Sequence, residues 1–148
     1  MQKKRIVIGC VLSIILILAL GMTYFFKEYN RYSNIINLNW DIKLLKSYKE
    51  IYSTDSGPSF HGDGDRYHIF EYKNSDYLNS ALHWKNEKNL GLEDEIKSIV
   101  NKLSIPEVYG PNFKGNYKYY SKTKEDSSKI YLLFYTDLNR LYVVEHLQ

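Results

Sequence analysis

The sequence predicts an α+β protein: an N-terminal transmembrane helix, then a small antiparallel sheet in the order β-β-α-α-β-β-β with two helices on one face. Three observations carry that expectation. Ile6 to Phe26 holds no charged residue, Leu92 to Leu103 has helical apolar spacing, and the stretch after Asn116 is dominated by strand-forming residues broken by short polar turns. A run of strands with helices between them packs as helices against an antiparallel sheet.

The uncharged run at 6–26 would form a helix of roughly 31 Å at ~1.5 Å per residue, close to the ~30 Å hydrocarbon thickness of a bilayer. Its Ile, Leu and Val make it apolar on all sides, as lipid requires of a helix whose backbone is satisfied internally. Lys3, Lys4 and Arg5 precede it. Basic flanks stay on the cytoplasmic side, so residues 1–5 form a cytoplasmic flank and the remainder is extracytoplasmic, tethered to the cell membrane by a single pass. Tyr24, Phe25, Phe26 and Tyr29 then fall at the outer interface. The competing reading is a cleaved signal peptide, with Ala19-Leu20-Gly21 as a small-x-small site. The apolar run continues past that site, which favours an uncleaved anchor. Cys10, the one cysteine, lies inside the run with too few apolar residues before it for a lipoprotein signal. The exported part therefore has no disulfide or thiol chemistry.

Residues 27–40 read as a juxtamembrane stalk, helical or irregular, and 41–148 as one extracytoplasmic α+β domain. Asp41 to Tyr52 is ambiguous between helix and strand, with a strand favoured over its second half. Asp55 to Asp65 (DSGPSFHGDGD) is dense in Gly, Pro, Ser and Asp and reads as a loop. Arg66 to Tyr72 alternates, with Tyr67 and Ile69 on one side and His68, Phe70 and Tyr72 on the other, so it is a strand. Asn74-Ser75-Asp76 can cap a helix that puts Leu78, Ala81, Leu82 and Lys85 on one stripe. A second helix carries Leu92, Ile96, Ile99, Val100 and Leu103, with Glu93, Asp94 and Glu95 at its N-terminal dipole and Pro106 and Gly110-Pro111 to end it. Strands at 116–122, 129–136 and 141–147 close the chain as an antiparallel meander.

Charge narrows the function classes. The formal +3 arises from 20 Lys+Arg against 17 Asp+Glu, but Lys3, Lys4, Arg5 and Lys27 flank the apolar run, leaving 16 basic residues against 17 acidic ones beyond it. No concentrated basic surface is available to neutralise phosphates, so nucleic acid is not an expected partner. No Gly-x-Ser-x-Gly elbow, His-Glu-x-x-His helix or phosphate-binding Gly loop is present, which argues against an enzyme. Glu93 and Glu95 read as helix-end electrostatics. Tyr117, Tyr119, Tyr120, Tyr131, Tyr135 and Tyr142 read first as core and cross-strand packing, second as an aromatic recognition surface.

One stretch could hold a site: the loop Asp55, Phe60, His61, Asp63 and Asp65, with His68 on the following strand. The leading expectation is an interaction surface for an extracytoplasmic protein or ligand, without a cofactor. An imidazole and carboxylates at this spacing could instead bind a divalent metal, making a weak metal-dependent enzyme centred on His61, Asp63 and Asp65. The third reading is a loop that only orders the fold, since Gly supplies positive φ and Asp bonds nearby backbone amides in ordinary turns.

Two stretches, TDSGPSFHGDGDRYHIFEY at 54–72 and IPEVYGPNFKGNYKYYSK with YLLFYTDLNRLYVVE within 105–145, resemble a family of small, exported, largely uncharacterised proteins of low-GC Gram-positive bacteria. The family's loop resembles Asp-Thr-His-Gly-Gly-Phe-His-Gly-Asp-Gly, and its end a Tyr-x-Thr-Asp hairpin closing on Leu-Tyr-x-x-Glu. Asp55, Phe60, His61, Gly62, Asp63 and Gly64 match this loop. Gly57 stands where the family has a His, and Pro58 and Ser59 replace two glycines. The resemblance covers about half of the part after the apolar run and implies a fold and a location, not an activity.

Overall fold

A computed structural model describes residues 12–24, 31–59, 62–74 and 76–148. They divide into two units, one ending at Leu44 and the other being Leu45–Gln148. In the first, 12–24 is helical (α1) with every residue exposed, and Tyr32–Trp40 forms α2. The helix α2 stops at Asp41, whose φ of 55° is left-handed and whose backbone N–H donates to Asn37 O. The expected span at 6–26 has residues 6–11 and 25–26 outside the described residues, and α1 alone rises about 20 Å. Among the described residues no helix is long and apolar enough to cross a membrane.

The second unit contains β1 (Tyr48–Asp55), β2 (Gly64–Tyr72), α3 (Asp76–Ala81), α4 (Leu90–Lys102), β3 (Lys118–Thr123), β4 (Lys129–Tyr135) and β5 (Arg140–Leu147). The α+β class and the strand–helix order follow the expectation. All four pairings are antiparallel and the sheet order is β1-β2-β5-β4-β3. The expected loop at 55–65 is shorter, because the hairpin pairs out to Asp55↔Arg66 and Ser56 N–H donates to Asp65 O at 2.9 Å. Asp55 and Asp65 are thus drawn into the strands.

Both faces of the sheet are buried, a consequence of strands such as KIYLLFY in which polar residues do not alternate. One face carries Tyr67, Ile69, Tyr131, Leu133, Tyr135, Tyr142 and Val144, packed with Leu92, Ile96 and Ile99 of α4. Phe70, Leu132, Phe134, Leu141 and Val143 point to the other face and are equally buried. Here the expectation of two helices on one face is corrected. Trp84, just after α3, donates its indole N–H to Leu78 O at 2.6 Å and lies 5.5 Å from the Phe134 ring. Lys118, paired with Phe134, reaches Asn79 of α3. The helix α3 therefore lies on the Phe134 face, opposite α4, because a sheet apolar on both sides needs cover on both.

Local chemistry sets the helix limits. Asn89 caps α4, its side-chain oxygen accepting from Leu92 N–H at 3.1 Å. Its end comes before Pro106: Ser104 takes a left-handed φ of 52°, Ile105 N–H reaches Val100 O, and Ser104 N–H reaches Asn101 O, a Schellman closure made without glycine. The expected stripe of α3 extended to Lys85, but the helix ends at Ala81 and Lys85 makes a two-bond bridge to Tyr119. Glu93 and Glu95 do more than face a dipole. Glu93 is buried and accepts from Tyr117 OH at 2.6 Å, while Glu95 accepts from Tyr131 OH and pairs with Lys129 at 2.7 Å. Tyr117, Tyr119, Tyr131, Tyr135 and Tyr142 are buried and Tyr120 is half-buried, so these rings mainly pack.

Candidate functional site: the β1–β2 loop and the Asp65 cluster

The loop at 56–63 is tied at its base. Asp55 Oδ1 accepts from Gly57 N–H at 2.8 Å, a turn in which a short carboxylate replaces a backbone acceptor. At the far side Gly64 has a φ of +128°, and a Cβ there would stand 2.2 Å from Ser56 Oγ. Only glycine fits both the angle and the space. Ser56 Oγ in turn accepts from Asp65 N–H at 3.0 Å. Between these ties lies an open hollow of about 390 Å3, lined by Ser56, Pro58, Ser59, Asp63 and Arg66 among others.

Of the expected site residues, Phe60 and His61 lie outside the described residues. Asp55 and Asp63 are exposed. Asp65 and His68 are buried and are not brought together, since residues three apart on a strand point to opposite faces. Asp65 is 1 % exposed and lies on the α4 face, with Lys102 Nζ 2.7 Å from Oδ2 and His146 Nδ1 2.7 Å from Oδ1. Burial alone would push its carboxyl up, but the hydrogen bonds and positive charge of Lys102 and His146 outweigh that and hold it below the ordinary carboxylate value. His146 turns its Nδ1 to Asp65, and the Gln148 amide nitrogen stands 2.8 Å from its Nε2.

On the other face His68 Nδ1 is 2.6 Å from Glu50 Oε1, and Glu145 is fully buried on that same face. Burial drives the His68 imidazole below its ordinary value, with Glu50 and Glu145 opposing the shift. Asp65 and His68 thus belong to two separate clusters on opposite faces of the sheet. Among the described residues no group of three or more His, Cys, Asp or Glu is placed to share a metal ion.

The residues that the sequence reading passed over are Lys102, His146 and Glu50. Strand periodicity offered a partial signal for one of them: His146 shares a face with Tyr142 and Val144, so it faces α4. Its pairing opposite Asp65 depends on β2 joining β5, which periodicity does not reveal. Chemically the Asp65 cluster is a latch. It joins the start of β2, the end of α4 and the end of β5, fixing the loop base, while Ser56, Ser59 and Asp63 are exposed. No family model matches this chain, and no curated protein or solved structure matches it.

Proposed function

We propose that the chain is a single-pass membrane protein, anchored through 6–26 with its N-terminus in the cytoplasm, that holds its α+β domain outside the cell as an interaction module. The contact surface for its protein or ligand partner is the loop at 55–65. One observation carries the anchor: α1 exposes Leu12, Ile14, Ile15, Leu16, Ile17, Leu18, Leu20 and Met22, each more than half, around its whole circumference. A helix apolar on every side is suited to lipid, and in water each such side chain gives up about 1.5–3 kcal/mol of available burial. The loop surface is supported by its latched base and outward-facing Asp63 and Ser59, a fixed scaffold presenting a short exposed segment.

The test uses the full chain in its membrane. Alkaline extraction should leave it in the pellet, and a C-terminal reporter should be active only outside the cytoplasm. A product released by alkali, or a reporter active in the cytosol, overturns the anchor. For the surface, photo-crosslinking from position 59, which is exposed in the same loop, should capture a partner that the double variant His61→Ala, Asp63→Asn loses. Capture that survives the double variant removes the loop from the reading.

A further inference from the structure

A second concavity lies away from the loop, beside α4. It has a volume of about 910 Å3 and is walled on one side by Glu93, Lys97, Val100 and Asn101 and on the other by the 105–114 segment. From Glu93 to Asn101 the helix rises about 12 Å. The volume lies in the ~300–1,000 Å3 range of small-molecule sites. The opposing wall is held by contacts within the fold. Buried Tyr67 donates its hydroxyl to Tyr109 O at 2.7 Å, Tyr52 stacks on the Tyr109 ring at 4.3 Å, and Ile105 N–H is fixed on Val100 O. A wall ordered beforehand costs little on binding.

The groove is polarised along its length. At the end nearer the start of α4, two ammonium groups stand at Phe113 and a third lysine lines the groove beside it. Lys97 Nζ lies 5.3 Å from the ring centroid, Lys88 Nζ donates to Phe113 O at 3.0 Å, and Lys114 follows Phe113 in the chain and is exposed. Two carboxylates stand at this end: Glu93 is 5 % exposed and engaged by Tyr117 OH at 2.6 Å and by Lys97 at 3.8 Å, and the exposed Asp94 accepts from Lys97 Nζ at 3.0 Å, so three lysines against two carboxylates leave an excess of one positive charge. Toward the other end the lining is Val100, Ile105 and Pro111, with Glu107 at the exposed margin.

From this arrangement we propose that the groove binds a small organic anion, a carboxylate or phosphate ester with an apolar body. Lys88, Lys97 and Lys114 take the anionic head. Val100, Ile105 and the Phe113 ring take the body. Glu107 at the far margin repels a second anionic end, which sets the preference for ligands charged at one end only.

The experiment uses full-length protein in nanodiscs of zwitterionic lipid and three probes: 4-phenylbutyrate, 4-phenylbutyl phosphate and the neutral 4-phenylbutyramide, each titrated by ligand-observed NMR. Saturable binding of one or both anions is expected, with the amide weaker by about tenfold, the worth of a charge-assisted contact. Whichever anion binds more tightly names the head group. Lys114→Glu, on an exposed segment, should weaken the anions by about tenfold at unchanged melting temperature while leaving the amide as it was, and Lys97→Gln should act in the same direction. Absence of saturable anion binding, an amide that binds as tightly as the acids, or anion affinity unchanged in both lysine variants overturns the proposal.

Discussion

Replacing Asp65 with Asn tests the latch with almost no change of shape. The carboxylate is buried and makes two contacts at 2.7 Å, to Lys102 and His146. Hydrogen bonds to charged partners contribute about 1.5–3 kcal/mol each. Breaking a fully buried pair costs about 3–5 kcal/mol because the surviving charge is trapped. That upper figure does not apply here, since the Lys102 and His146 side chains are 62 % and 34 % exposed and regain water when the carboxylate is lost. The expected loss is about 2 kcal/mol, equivalent to roughly 10 °C for a domain of about one hundred residues. The pH dependence makes the test specific. The folded carboxyl lies below its ordinary value of 3.8, so its contribution is present above that value and disappears as the pH falls through the lower folded one. Urea unfolding of wild type and Asp65→Asn should therefore give curves separated by a constant gap above about pH 5 that closes below about pH 4. A gap under about 0.5 kcal/mol at neutral pH, or one unchanged down to about pH 3, would refute the latch.

Three further outcomes are expected. The His68 imidazole lies below its ordinary 6.5, so its share of stability is full above that value and is lost as the pH falls through the folded one; His68→Gln should flatten the weakening of wild type on acidification from about pH 7 to 5, read by thermal melts. Asn89→Ala removes the α4 cap and should cost about 1 kcal/mol by chemical denaturation, whereas Asn89→Ser should retain most of it. Gly64→Ala meets both a positive φ and Ser56 Oγ, so it should cost about 1–3 kcal/mol; made in a Ser56→Ala background and compared with Ser56→Ala alone, it should lose only the steric part of that cost, and a cost of zero there would mean that the backbone angle is not under strain.

The fold was legible where one principle acted alone. The period of Leu92, Ile96 and Ile99 marks α4, and the β-rich tail marks the meander. What escaped the reading was decided across the sheet. The apolar strands β4 and β5 signal burial on both faces, yet the apolar stripes of α3 and α4 are alike and carry no label for the face each will cover. Likewise Asp65 has the composition of a loop residue, and Gly-Asp-Gly-Asp reads as a turn. Its burial becomes visible only once β2 is placed beside β5, so that His146 stands opposite it and Lys102 can reach in from α4. The candidate site was thus legible as a loop, while the side chains holding that loop came from residues 37 and 81 positions further along the chain. The short αL turn at Ser104 was equally hidden, since glycine is the usual sign of such an ending.

The strand order has a kinetic consequence. The hairpins β1-β2 and β3-β4 share no pairing with each other, and the strand that welds them, β5, is the last of the five to be synthesised. Until Leu147 has cleared the ribosome, each hairpin presents an open edge and uncovered apolar rings to its surroundings. Ordering of the sheet is therefore delayed until β5 has been made, and in that interval the nascent chain keeps open strand edges that a sheet built in sequence order closes as it grows.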